Sequence, residues 1–301
     1  MKALVISGGG SKGAFAGGVA QYLMEIKKKE YDLFLGTSTG SLLIPQLALK
    51  NVGKLYDIYT NVNQLSIFSL NPFIVRKKDG REYVTINYLT TFLQFLKRKR
   101  TFGESKALRR TIKKNFSKAE FETIKASNKE VVVTVSNLSK NKVEYKALSD
   151  FEYEDFCEWI WISCNYIPFM SLVKKNGFEY GDGGLGAVVP IREAIKRGAT
   201  EVDAIILESE KMEQNKVLGK NPFSLMLSIY GFVIDQIEFY NISEGILAAK
   251  HKGVTLNLYY TPTKLTENSL VFNKKLMKQW WELGFEYGAS KFKNIDVGNN
   301  P

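Results

Sequence analysis

The sequence is almost without histidine. Among 301 residues there is one, His251. A serine or cysteine nucleophile in this chain therefore has at most one imidazole to take its proton. Cysteine is nearly as scarce. Cys157 and Cys164 stand seven positions apart. That is two helical turns, so on a helix they share a face and are poorly placed to bond to each other. No zinc-ligand spacing is present. The pair reads as two small buried hydrophobes, in keeping with a reducing compartment. Long apolar runs are missing as well. The longest, Phe223 to Val233, is broken by serines, Tyr230 and Gly231, and no window reaches the length of a membrane-spanning helix. The run Met1 to Ile6 gives way at once to glycines and is too short for the core of a signal peptide. A soluble, cytoplasmic protein is the expectation. Repeats, low-complexity linkers and composition breaks are also absent, so one domain over residues 1–301 is expected.

What is present begins with a basic balance. There are 42 Lys and Arg against 31 Asp and Glu, a formal net charge of +11. That favours anionic partners: nucleic acid, acidic lipid surfaces or acidic ligands. The clearest cluster, Lys97-Arg98-Lys99-Arg100, reads as a solvated helix end. Patterning predicts a strand over Met1–Ser7, a loop, a helix over Lys12–Lys28, a strand over Asp32–Leu35 and a helix over Gly40–Lys50. Alternation of this kind implies a parallel sheet with crossover helices. The stretch Asn51–Asn128 is predicted mostly helical, with a loop near Asn71-Pro72. Strands follow at Glu130–Leu138 and Val143–Leu148 around a Lys140-Asn141 turn. Further on come helices over Phe151–Cys164 and Pro190–Arg197, and strands over Val202–Leu207 and Val254–Tyr260. Pro222–Lys250 is one helix or two joined near Gly231, and Asn273–Lys291 is a final helix. The fold class is α/β with a central, mostly parallel sheet.

Two glycine motifs sit on neighbouring strands. Gly8-Gly9-Gly10-Ser11-Lys12-Gly13 follows the first strand and opens a helix. Its backbone N–H groups and the helix dipole can converge on negative charge. The spacing of Gly8, Gly10 and Gly13 matches a dinucleotide-binding fingerprint, but Asp32 sits at the start of the second strand rather than at its end. A phosphate-gripping loop needs Gly-Lys-Ser or Gly-Lys-Thr at its close, and here Gly13 is followed by Ala14. The third reading is an oxyanion hole for acyl transfer. It alone accounts for the pentapeptide Gly36-Thr37-Ser38-Thr39-Gly40 that ends the next strand. Strand residues precede this pentapeptide and helix residues follow it, the setting of a nucleophile elbow that presents a serine.

Two residues compete to be the base. The order Ser38, Asp182, His251 matches a Ser-Asp-His triad order. However, His251 lies between lysines at a helix end before a strand, where histidine is usually a surface residue. Asp182, in Tyr180-Gly181-Asp182-Gly183-Gly184, is flanked by glycines that permit close backbone approach. Alone it reads as an ordinary turn aspartate. Beside the two N-terminal motifs it becomes the natural general base.

On these three motifs, in this order, the chain resembles the patatin-like phospholipase family. Secondary echoes are Ala107-Leu108-Arg109-Arg110, Ser163 to Phe169, and Val189-Pro190. The resemblance covers roughly 1–207; the part 208–301 looks like a variable tail. It implies a three-layer fold and hydrolysis of phospholipid or lysophospholipid acyl esters by a Ser–Asp dyad, with no metal or cofactor. Carried over, Ser38 is the nucleophile and Asp182 the base. Gly8, Gly9, Gly10, Ser11, Lys12 and Gly13 form the oxyanion hole. Gly36, Gly40, Gly183 and Gly184 support the elbow and the aspartate turn. Family elbows often continue with a second glycine where this chain has Ser41, a change expected to alter packing rather than chemistry. Transient contact with an anionic membrane surface is expected, peripheral in nature. Pro72-Phe73-Ile74-Val75 and Ile167-Pro168-Phe169-Met170 are the candidate apolar loops for it. Nucleic acid is not expected as a partner, and homo-oligomers are allowed. A triad esterase using His251, and a non-catalytic nucleotide- or lipid-binding module, stand as alternatives.

Overall fold

The computed structural model describes residues 1–78, 81–210, 222–266 and 268–297. Parts of the expected variable tail, 211–221, 267 and 298–301, lie outside the described residues. In chain order the elements are β1 (Lys2–Ile6), α1 (Gly13–Gln21), β2 (Leu33–Thr37), α2 (Thr39–Ala48), α3 (Val52–Asn61), α4 (Gln64–Ile67), β3 (Phe73–Lys78), β4 (Arg81–Ile86) and α5 (Tyr88–Leu96). Then follow α6 (Lys106–Asn115), α7 (Lys118–Lys125), β5 (Glu130–Asn137), β6 (Lys142–Ala147), α8 (Tyr153–Ser163), β7 (Val173–Lys175) and β8 (Phe178–Asp182). The chain continues through α9 (Ile191–Lys196), β9 (Glu201–Ser209), α10 (Pro222–Lys252), β10 (Thr255–Thr261) and α11 (Lys274–Val297).

One sheet organises the molecule, in the order β10-β9-β1-β2-β5-β8-β7, with β6 also on β5. From β10 to β5 every pairing is parallel; β6, β7 and β8 are antiparallel additions. Alternate residues of the central strands serve opposite faces, as pleating requires. Leu4, Ile6, Phe34, Ile205 and Leu207 join a core with residues of α1, α2, α8 and α11. Ala3, Val5, Leu33, Leu35, Ala204 and Ile206 join a second core beneath α9 and α10. The expected α/β fold, three layers deep with a mostly parallel sheet, is what these two cores define. β1 neighbours both β2 and β9, so connections leave in opposite directions there. A crevice opens beyond the carboxyl ends of strands at such a point.

The sheet's branching on β5 positions the site. β2 pairs β5 over Glu130 to Thr134, ending with Thr37 opposite Thr134. β6 pairs the other edge over Val132 to Asn137. β8 must therefore take the edge that β2 vacates, and it does so with Asp182 opposite Val135. β2 and β8 thus meet carboxyl end to carboxyl end along one edge of β5.

The structure departs from the expected elements in two places. The stretch read as mostly helical contains the hairpin β3–β4, whose basic and β-branched residues carry little helical periodicity. The segment around Pro168 leads into two short strands, β7 and β8, rather than a plain loop. α10 is one helix through Gly231. Among the described residues no helix is long and apolar enough to cross a membrane.

α11 lies along α1, and glycine makes that approach close. A Cβ on Gly284 would stand 2.2 Å from the carbonyl oxygen of Phe15, and one on Gly18 would stand 2.0 Å from that of Trp281. Overpacking so tight a contact is destabilising. Gly284→Ala should therefore lower stability by about 1–3 kcal/mol in urea unfolding. Gly231→Ala, where no atom lies near the added methyl, should instead raise it by about 0.5–1 kcal/mol. Equal midpoints for the two variants would rule out the close approach.

Candidate active site

β2 stops at Thr37 and α2 starts at Thr39, leaving Ser38 alone in the turn. Its backbone sits at φ 53° and ψ −118°, a conformation that L-residues rarely adopt. Strain of this kind persists only where the surroundings impose it. Close backbone contact imposes it here. A Cβ at Gly40 would lie 2.3 Å from the carbonyl oxygen of Ile6, and one at Gly36 would lie 2.5 Å from the carbonyl carbon of Gly40. Hydrogen bonds add to the constraint. Ser38 N–H donates to Ser163 Oγ at 3.0 Å. Ser41 Oγ donates to Gly36 carbonyl at 2.9 Å, which uses its only hydrogen. The 2.8 Å contact between Ser41 and Ser163 must then be a bond from the Ser163 hydroxyl to Ser41. The Cys164 thiol donates to the Ser38 carbonyl at 3.1 Å. The serine that stands where a second glycine was expected is thus a strut of the elbow.

Asp182 ends β8, with its N–H bonded to the Asn165 carbonyl at 2.9 Å. Its Oδ2 accepts from Ser38 Oγ at 2.7 Å, and its Oδ1 accepts from Gly184 N–H at 2.8 Å. Gly183 lets this turn press against β5; its Cβ would stand 2.4 Å from the Thr134 carbonyl oxygen. The carboxyl is buried. Burial pushes its pKa up to about 7, while the bonds from Ser38 and Gly184 pull the other way.

The glycine loop lies beside them. Gly8 N–H donates to Val188 carbonyl at 3.1 Å, Ser11 N–H to Ser269 carbonyl at 2.8 Å, and Lys12 N–H to Gly9 carbonyl at 3.1 Å. Gly13 N–H turns back to the carbonyls of Gly10 and Ser11. Of the six residues, Gly9 and Gly10 alone have N–H groups with no acceptor among the described residues. Gly10 has φ +55°, and Ser269 covers it so closely that a Cβ would lie 2.2 Å from its carbonyl oxygen. That cover leaves little room for the diphosphate of a dinucleotide.

Gly8, Gly9, Gly10, Lys12, Ser38, Asp182 and Gly184 line one cavity of about 180 Å³. Gly13, Gly36, Gly40 and Gly183 stand behind its wall, as does Ser11, which is fully buried. Much of its lining is apolar, with Leu42, Leu55, Ile58, Leu108, Ile112 and Phe116 among it. Acidic residues line it as well. Lys12 is buried and pairs with Glu208. Asp235 and Glu238 join them. Burial, then Glu208, pushes Glu238 up to about 8, and its Oε1 has no partner. No group of three or more His, Cys, Asp or Glu arranged to hold a metal occurs among the described residues. His251 sits exposed in the last turn of α10 and does not line the cavity.

Several supporting residues escape a sequence reading. Asn241 Oδ1 accepts from Val188 N–H at 2.7 Å, steadying the strap that in turn fixes Gly8. Glu208, Asp235 and Glu238 come from the part expected to be variable, without a motif to mark them. Ser163 and Asn165 fall in a segment noted only as an echo. The apolar loops expected to meet a membrane are divided: Val75 is exposed, while Ile74, Ile167 and Pro168 are half-buried. Phe73, Phe169 and Met170 are buried, and Phe169 gathers the rings of Phe73, Phe102 and Tyr166 around itself.

A strained serine on a strand-to-helix turn, bonded to a buried carboxylate beside free backbone donors, has the arrangement of a serine hydrolase of the α/β class. Comparison with known proteins narrows the class. The patatin-like phospholipase family matches residues 4–195, more than half of the chain, and the chain belongs to that family. Its members are in general lipid acyl hydrolases. No curated protein matches the sequence. Among solved structures, VipD from Legionella pneumophila is similar at 14% identity and a TM-score of 0.43, covering 96% of this chain and 67% of that one.

Ser163→Ala leaves the buried Ser38 N–H without an acceptor, which costs about 1–3 kcal/mol. The variant should unfold at lower denaturant than wild type, while Ser163→Thr, which keeps the accepting hydroxyl, should restore part of the loss. The carboxyl of Asp182 has a folded pKa raised from 3.8 to about 7. Its contribution to stability is therefore complete below the unfolded value and lost as pH rises through the folded one. Asp182→Asn removes that charge. It should raise the thermal midpoint over wild type by more at about pH 8.5 than at about pH 5. An equal shift at both would contradict the burial.

Proposed function

We propose that the protein is a lipid acyl-ester hydrolase of phospholipase A or lysophospholipase type, working through a Ser38–Asp182 dyad. The 2.7 Å bond from Ser38 Oγ to a carboxylate raised to about 7 carries the reading. As Ser38 Oγ attacks the ester carbonyl, Asp182 accepts its proton. The oxyanion forms against the N–H groups of Gly9 and Gly10, with the positive end of α2 directly behind Ser38. Asp182 then protonates the leaving alcohol. Water, deprotonated by the same carboxylate, attacks the acyl-enzyme, and Asp182 returns that proton to Ser38 Oγ as the fatty acid leaves. The apolar lining of the cavity suits the acyl chain. The reading requires neither metal nor cofactor. Because the substrate lies in a bilayer, the protein works peripherally at membranes.

The test is lipid hydrolysis by purified variants. Ser38→Ala should lower kcat by roughly 10⁴-fold or more, as loss of a catalytic nucleophile does, and should end labelling by a fluorophosphonate. His251→Ala should keep wild-type rates; loss of activity there would favour the triad. The base acts when deprotonated, so kcat/KM should rise with pH and level off above about 7. Labelling that survives Ser38→Ala would overturn the assignment.

A further inference from the structure

Helix α5 is inside out. A surface helix normally turns its apolar stripe to the core. Here the polar residue Gln94 is buried at 4% exposure, whereas Leu89, Phe92, Leu93, Phe95 and Leu96 are 69%, 57%, 45%, 77% and 61% exposed. The inward side even strands polar atoms: Gln94 Nε2 and Thr91 Oγ1 are buried without partners. Five large apolar side chains facing water on three turns form a continuous patch, and such patches mark binding surfaces. The helix runs directly into Lys97-Arg98-Lys99-Arg100. Arg100 pairs with Glu179, and Lys99 reaches Glu104 at 3.9 Å. Lys97 and Arg98 have no acidic partner among the described residues.

A second apolar face stands on the same footing. On α10, Ile229 and Phe232 are exposed at 55% and 56%, while Tyr230 between them turns in. Its hydroxyl donates to the Ile167 carbonyl at 2.8 Å, and its ring meets that of Tyr166 at 5.1 Å. On the α5 side, Phe102 N–H donates to the Pro168 carbonyl at 2.8 Å and Phe73 stacks on Phe169 at 5.4 Å. The α10 face is therefore anchored to the segment Tyr166–Met170, and the chain on either side of α5 packs on the same segment, of which Tyr166 and Met170 line the cavity of Ser38.

We propose that α5, its basic extension and the exposed apolar face of α10 form the surface that docks on an anionic bilayer, with the Ser38 cavity opening toward it. Apolar side chains enter the acyl boundary, while Lys97 and Arg98 meet anionic headgroups. The apolar face leads into Lys97 and Arg98, whose charges no acidic residue among the described residues offsets, and that combination fits an anionic bilayer. The proposal rests on the lipid-hydrolase reading for its purpose, not for its geometry.

The experiment is co-sedimentation of the full chain, carrying Ser38→Ala so that the lipid survives. It uses vesicles of phosphatidylcholine alone and of an equimolar mixture with phosphatidylserine. Wild-type surface should bind the mixed vesicles more strongly than the neutral ones, and less so in high salt. Phe92→Glu/Phe95→Glu and Lys97→Glu/Arg98→Glu should each weaken partition by roughly tenfold or more. With Ser38 restored, the same variants should hydrolyse a soluble short-chain nitrophenyl ester as wild type does, which also shows that they fold. Undiminished vesicle binding by both variants overturns the docking surface. So does light scattering that shows α5 holding a dimer which the Phe variants dissociate, with vesicle binding unchanged. If the wild type fails to cleave the ester while α5-dependent vesicle binding persists, the hydrolase reading fails and the docking surface stands.

Discussion

A carboxylate kept out of water sets the terms for everything around it. In solvent an aspartate is too weak a base to take a proton from serine near neutral pH. Asp182 is buried and accepts only the Ser38 hydroxyl and the Gly184 N–H. Those two bonds favour its charged form, yet loss of water outweighs them and lifts it to about 7. That is the range in which an unperturbed imidazole works. A chain with a single, exposed histidine therefore still holds a buried carboxylate raised into that range.

Such a carboxylate has to be delivered without dragging water along with it. The edge of β5 does this. β2 runs up that edge and ends at Thr37, and β8 comes down it and ends at Asp182, on adjacent positions of the same strand. Serine and aspartate meet where two strand ends abut, Ser38 held by the Ser163 hydroxyl and Asp182 by the Asn165 carbonyl. The glycine turns around them follow from the same crowding. Where β1, the elbow and the Gly183 turn come within van der Waals range of one another, no side chain fits between.

The parts legible in the sequence are the ones fixed by local backbone demands. Glycines that permit close approach and strands read from buried β-branched runs identify β1, β2 and the Asp182 turn without tertiary information. The branching of β5 was not legible, because register between distant strands depends on which edge is left open. Nor was the hairpin β3–β4, whose signal is carried by charged residues. Ser163 reaches the elbow from α8 across more than a hundred residues of chain, so only its position in space gives it meaning. The Gly8–Gly13 loop is legible as a unit but not donor by donor. Four of its six N–H groups are spent on Val188, Ser269, Gly9 and the Gly10–Ser11 turn.

Local rules are broken at three kinds of position here, and the first two line one cavity. Ser38 adopts a backbone conformation that a serine avoids. Asp182 and Glu238 are carboxyls without the solvent or cationic partner they normally require. Helix α5 shows its apolar side to water and its polar side to the protein. Each departure works against stability, so a sequence selected for stability alone would remove it. Chance exceptions would be scattered over the surface. These instead share neighbours: the 163–170 segment touches the elbow through Ser163 and Cys164, Asp182 through Asn165, and the outer apolar faces through Ile167 to Phe169. A single stretch of backbone thus lies between the exposed apolar face of α10 and the Ser38 turn, bonded to both.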